Sequence, residues 1–153
     1  MKHKLISPLF LYLIAILGVF IIFFFVPSRI LLPNVPLGFI VFLLAIFYWL
    51  YFSLGAIHIH KRAHANLENI DSVVTSGVYS LVRHPMYSSN IVLVWALFII
   101  FPDLRVLLSV VWVSVAMIIW IELEERELAQ KFGDEHKTYR SQVPKLIPRI
   151  RKK

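Results

Sequence analysis

The sequence predicts an all-α integral membrane protein of four transmembrane helices, with spans three and four folded as a helical hairpin and a cytoplasmic C-terminal segment. Three observations predict this class. Hydrophobic residues make up 59% of the chain and charged residues only 16%, against about 25% charged in a soluble domain. The apolar residues collect into runs too long for ordinary core helices. The Lys and Arg residues also divide very unevenly between the two sides that four spans would create.

The first apolar run, about residues 8–26, is uncharged and reaches about 28 Å as a helix. No small-residue cleavage pattern follows, so it reads as a retained span rather than a signal peptide. Pro27, Pro33 and Pro36 make the next link short and kinked. The second run, about 37–57, is uncharged and rich in Phe, Tyr and Trp. Residues 58–85 are polar. The third run, about 86–101, ends in Phe101-Pro102-Asp103, a tight turn. The fourth, about 104–121, then returns antiparallel to the third.

Beyond the fourth run the chain continues as a charged helix with an apolar stripe of Leu123, Leu128 and Phe132, and Gly133 is the expected stop. Pro144 and Pro148 keep the following segment from being a regular helix. The basic end from Arg149 to Lys153 suits solvent or lipid headgroups. No repeat interrupts this order, so residues 1–153 read as one domain.

Four spans put the N-terminus, the 58–85 loop and the tail on one side, with 14 Lys and Arg residues. The opposite side has only Arg29 and Arg105. The positive-inside rule then makes both termini cytoplasmic. It also places two polar clusters on the same face: Thr75 to Tyr87 before span three, and Glu122 to Glu127 after span four.

Several function classes are excluded or weakened. With no cysteine, the chain has no disulfide, no thiolate metal site and no Cys nucleophile. The net charge of +7 sits at span boundaries, where it sets orientation, so nucleic acid is not the expected partner. His60, His64 and Glu68 recur at i, i+4 and i+8, a spacing that can ligate a metal. The chain lacks the several histidine boxes of membrane di-iron enzymes, so no metal is expected. Serine-nucleophile and phosphate-loop motifs are missing.

The first cluster centres on Arg83-His84-Pro85-Met86-Tyr87. Pro85 suits the first turn of a helix and disfavours helix at His84. Arg83 and His84 therefore precede a helix N-terminus, where free N–H groups favour an anion. Arg83 adds a planar donor for a carboxylate or phosphate. Gly77 would allow close backbone approach to a ligand. The competing reading makes Arg83 a boundary anchor, with Tyr79 and Tyr87 as interfacial aromatics. In the second cluster, Glu124 and Glu125 lie at a depth where carboxylates are costly unless paired or facing water. Glu124 suits ribose hydroxyls or an amino group. The competing reading is a solvated helix start with pairs such as Glu122 and Arg126.

These residues bring a family into view. Thr75-Ser76-Gly77-Val78-Tyr79 and Arg83-His84-Pro85-Met86-Tyr87 resemble the cofactor signature of the isoprenylcysteine carboxyl methyltransferase family, whose elements are related to those of phospholipid N-methyltransferases. The tail is similar to the family's second signature through Glu124-Glu125-Arg126-Glu127-Leu128, Phe132-Gly133, Tyr139 and Val143-Pro144-Lys145-Leu146-Ile147-Pro148. The likeness covers about residues 71–148.

The resemblance implies a membrane enzyme using S-adenosyl-L-methionine. Val73, Val74, Gly77 and Tyr79 would line the cofactor, with His84, Pro85, Met86 and Tyr87 over it and Glu124 at its polar end. Arg83 and Glu125 are added as catalytic candidates. The chain departs from the pattern at Ser89, where Gly is frequent, at His136 for a Tyr, and at Lys145 for an Arg. Trp120 stands where prenylcysteine-modifying members carry an Arg facing the acceptor carboxylate, and Trp cannot form that ion pair.

Methyl transfer from a sulfonium is an in-line displacement, with acceptor and methyl carbon about 3–3.5 Å apart. A carboxylate acceptor needs no base; for an amine, Glu125 or His84 is the candidate. The expected acceptor is a lipophilic small molecule or lipidated substrate entering from the surrounding membrane lipids. Rival readings are an NADPH-dependent membrane reductase of the sterol reductase type, a phospholipid N-methyltransferase and a non-enzymatic membrane subunit. The oligomeric state is open.

Overall fold

The computed structural model describes residues 8–32, 37–63 and 72–149. Pro33, Pro36, His64, Glu68, Asp71 and the basic residues beyond Arg149 lie outside the described residues, as does the side chain of His60. The histidine spacing weighed for a metal is among them.

Among the described residues the chain forms four α-helices and no strand beyond an isolated bridge between Ile30 and Asp103. They are α1 (Pro8–Phe25), α2 (Leu37–Ala63), α3 (Pro85–Ile100) and α4 (Leu104–Gln142). Among the described residues a 3-10 turn, Gly77–Ser80, lies between α2 and α3. The uncharged runs set the helix starts. Two ends differ from expectation. α2 continues through His58 to Ala63, so part of the polar loop is helical. α4 does not stop at Gly133: the glycine takes φ 51° and ψ −118°, and helix resumes to Gln142. Gly133 thus bends the helix instead of ending it, because a residue without Cβ reaches this backbone region at little cost.

α2 and α4 are each long and apolar enough to cross a membrane, while α1 and α3 are apolar but shorter. The distribution of side chains is inverted relative to a soluble bundle. Ile16, Phe20, Phe24 and Phe47 lie on the outside. Ala45, Ser53, Ala56, Ser89, Ser109 and Ser114 are buried between helices. Small and polar residues at helix contacts, with large apolar ones outward, are the pattern of helices that face lipid.

The helices pair as α2 with α3 and α1 with α4. Tyr48 Oη meets Ser88 Oγ at 2.8 Å, Trp49 Nε1 donates to Asn90 Oδ1 at 2.8 Å, and Ser53 Oγ meets Ser89 Oγ at 3.1 Å. Ser89, the departure from glycine, is thus a helix contact. Leu11 of α1 packs with Met117 and Trp120 of α4. The expected α3–α4 hairpin forms, with Trp95 Nε1 donating to Ser114 Oγ at 3.1 Å, but α3 packs more extensively on α2. At its turn Asp103 caps α4, accepting from the Arg105 backbone N–H at 2.8 Å.

Candidate active site

The bend at Gly133 returns the last turns of α4 over the start of α3. Beyond them, residues 143–148 form a strap along residues 83–88. The Arg83 N–H donates to Pro144 O at 2.9 Å and the His84 N–H to Lys145 O at 3.1 Å. Ser88 Oγ donates to Leu146 O at 2.6 Å. These two backbone N–H groups are therefore not open to an anion, contrary to the expectation from Pro85 alone. Pro85 does begin α3, with His84 at the N-cap position.

Under the strap lies a buried ion-pair network. Arg83 grips Glu125 with two donors: Nε to Oε1 at 2.8 Å and Nη2 to Oε2 at 3.2 Å. Its Nη1 donates to the carbonyls of Val143 and Arg140. Both side chains are almost excluded from solvent, at 6% and 3% exposure. A buried guanidinium needs this many acceptors, since unpaired charge at that depth is costly. His84 Nε2 lies 2.9 Å from Glu125 Oε1, and its Nδ1 faces Glu124 Oε2 at 3.6 Å. Burial opposes charge on His84, but the two glutamates outweigh it and raise the pKa. Burial likewise opposes charge on Glu125, and the hydrogen bonds from His84 and Arg83 hold the carboxyl down to about 2. A carboxylate so stabilised is a weak base, and His84 has both nitrogens turned to carboxylates.

Glu124 differs from its neighbour in being 25% exposed. Its Oε1 accepts from Tyr87 Oη at 2.6 Å and from Trp120 Nε1 at 3.1 Å. Trp120 therefore orients the carboxylate while its ring packs on Leu11 and Met117. Tyr79, on the 3-10 turn, has its phenol pKa raised by burial, by Tyr139 and by the charge of Glu124. Its carbonyl accepts from Tyr139 Oη at 2.7 Å.

The other expected residues lie nearby in different roles. Val73 and Val74 are half-buried, and the Val73 N–H donates to Glu135 Oε1 at 2.9 Å. Met86 packs against the cluster of Phe52, Ala56, Val78 and Val82. Gly77 has φ 58°, and a Cβ there would lie 2.6 Å from Ile59 Cδ1, so its close approach is to α2. The pairing of Glu122 is with Lys145, across the strap, rather than with Arg126.

Sequence reasoning gave no site role to two residues beside Glu125. His136 is 1% exposed with its Nε2 3.9 Å from Glu125 Oε2, and neither ring nitrogen has a hydrogen-bond partner among the described residues. Burial lowers its pKa. Arg140 Nε lies 3.8 Å from the same Glu125 oxygen, with its side chain 58% exposed. Its place in the tail made it one basic residue among nine.

Fold and site together define a helical, membrane-type protein with a buried polar centre, built where the loop before α3 meets the end of α4. The chain belongs to the phospholipid methyltransferase family, whose model matches residues 33–135. It is 31% identical over 80 residues to methanethiol S-methyltransferase of Pseudomonas deceptionensis, covering 51% of this chain and 29% of that protein. It is 37% identical over 79 residues to methanethiol S-methyltransferase of Crocosphaera subtropica, covering 52% and 30%. It is 35% identical over 86 residues to protein-S-isoprenylcysteine O-methyltransferase of Schizosaccharomyces pombe, covering 51% and 34%. The chain thus spans about a third of the length of these relatives. No solved structure matches it significantly.

Proposed function

We propose that this chain transfers a methyl group from S-adenosyl-L-methionine to a lipophilic acceptor at the cytoplasmic face of a membrane, with all four helices spanning the bilayer and both termini in the cytoplasm. The observation that carries the reading is the contrast between the two adjacent glutamates. Glu125 is buried and fully engaged, whereas Glu124 is partly exposed and held in place by Tyr87 and Trp120.

The residues present fit the cofactor by their chemistry. A carboxylate beside Tyr79 and Tyr87 suits a ligand that carries ammonium and sulfonium charges. When bound, the cofactor supplies an electrophilic methyl on a positively charged sulfur. The chain's own residues act by positioning. Arg83 and Glu125 tie the α3 start to α4 and the strap, and His84 links Glu125 to Glu124. Tyr87 and Trp120 aim Glu124, and the apolar side chains of Leu11, Met117 and Ile91 cluster with Trp120, where an apolar acceptor could lie. In this reading Arg83 and Glu125 are positioning residues. The acceptor then brings its own nucleophilicity, because neither Glu125 nor His84 is a free base.

A second acceptor reading has a specific observation behind it. Trp120 supplies no positive charge for an acceptor carboxylate, and two of the relatives above are named for methanethiol, a small neutral thiol. Membranes carrying the protein, incubated with methyl-labelled S-adenosyl-L-methionine, should yield labelled product in the lipid extract. Added methanethiol should compete for label if the small thiol is the acceptor. Calorimetry separates the rivals: binding of NADPH and not S-adenosyl-L-methionine would select a reductase, and binding of neither a non-enzymatic subunit.

A further inference from the structure

Two carboxylates and two guanidiniums converge in this site, and they are not equivalent. Arg83 and Glu125 are buried and spend their hydrogen bonds on each other and on the strap. Glu124 and Arg140 are the exposed pair, at 25% and 58%. Glu124 Oε1 has two donors, but among the described residues Oε2 has only His84 Nδ1 at 3.6 Å, beyond hydrogen-bond reach. The Arg140 guanidinium makes no hydrogen bond among the described residues; its one ionic neighbour is Glu125 at 3.8 Å. The two outer groups flank one buried network, joined through His84 and Glu125 by contacts of 3.6, 2.9 and 3.8 Å.

We propose that Arg140 receives the α-carboxylate of the cofactor's methionine end while Glu124 receives its α-ammonium. This deepens the methyl-donor reading and rests on it. An α-amino acid presents one anion and one cation a few bonds apart, and the outer pair offers the opposite charges. The other cations nearby are committed: Arg83 and His84 to Glu125, and Lys145 to Glu122. Arg140 is also held where it is needed. Its carbonyl accepts from Arg83 Nη1 at 3.2 Å, and its neighbour Tyr139 is pinned to Tyr79 O at 2.7 Å. A planar, always charged fork with unused donors is suited to bidentate carboxylate recognition.

The test compares binding of S-adenosyl-L-methionine with that of its decarboxylated analogue to the full chain in nanodiscs, by calorimetry. The wild type should prefer the carboxylated ligand by at least about tenfold, the range of a charge-assisted hydrogen bond. Arg140→Ala should bring the two affinities together by weakening only the carboxylated ligand. Arg140→Lys should keep part of the preference, and Lys145→Ala all of it. An unchanged preference in Arg140→Ala, or no preference in the wild type, would overturn the assignment while leaving the methyl donor in place. A wild type that binds neither ligand would overturn both.

Discussion

At the end where α3 turns into α4, Asp103 is half-buried and accepts from Ser28 Oγ at 2.6 Å and the Arg105 N–H at 2.8 Å, while Arg105 Nε donates to Val26 O at 2.7 Å. At the opposite end Glu125 is gripped by Arg83 and His84 with 3% exposure. Both ends use a carboxylate, an arginine and main-chain partners. The first ties the 26–31 segment to the turn, across 75 positions for Ser28–Asp103 and 79 for Val26–Arg105, and each charged side chain in it has a partner. The second is buried and joins the start of α3 to α4 through Arg83, His84 and Glu125, and among the described residues it leaves Glu124 and Arg140 with unused capacity. The difference lies in burial and in residual hydrogen-bonding capacity, and that capacity is what the proposed ligand would use.

Removing one member of the buried pair should have the largest effect. Arg83→Ala or Glu125→Ala strands a buried charge, at a cost of roughly 3–5 kcal/mol. Thermal unfolding in detergent should drop sharply and cofactor binding should vanish. A stability near the wild type would break the contrast between the ends. Next is Gly133→Ala. A Cβ there meets nothing within 4 Å, so any loss comes from the backbone at φ 51°, on the order of 1–3 kcal/mol. It should loosen the strap and weaken cofactor binding, which hydrogen exchange at residues 143–148 would detect.

Glu124→Gln should separate binding from stability. We expect about a tenfold weaker Kd for the cofactor and an unfolding temperature close to the wild type. A pH series sharpens the same comparison. Glu125, held down to about 2 from an ordinary 4.5, contributes stability that is full above the ordinary value and lost as pH falls toward 2. His84 has the opposite sign: its contribution is full below 6.5 and lost as pH rises through its raised folded value. Glu125→Gln should remove most of both slopes. The smallest effect belongs to the turn. Asp103→Ala should lower the unfolding temperature by a few degrees at most and leave cofactor affinity untouched.

Much of this was legible in the residue order. Uncharged runs marked the start of every helix, since long apolar segments have few other places to go. Pro85 marked the start of α3, and Pro144 with Pro148 marked the non-helical strap. Paired motifs around Tyr79 and Tyr87 and around Glu124 pointed to one polar centre. What was misread involves a partner distant in sequence. Gly133 looks like a stop until the returning strap gives the second segment of α4 a surface to pack on. Arg83 looks like an anion receptor until Glu125 and two carbonyls use its donors. His136 shows in the sequence only as a departure from the family's Tyr, and Arg140 carries no local signal, because an arginine in a charged tail looks alike whether it faces solvent or a buried carboxylate.

Composition and periodicity by themselves determined that this chain is helical and apolar, because 3.6-residue geometry and the cost of exposing backbone to lipid act on each segment independently. Only the tertiary structure decided which glutamate is sealed and which is open, since Glu124 and Glu125 are adjacent in sequence and chemically identical. The difference lies in the direction each projects from α4: one toward Arg83, His84 and the strap, the other toward Tyr87 and Trp120.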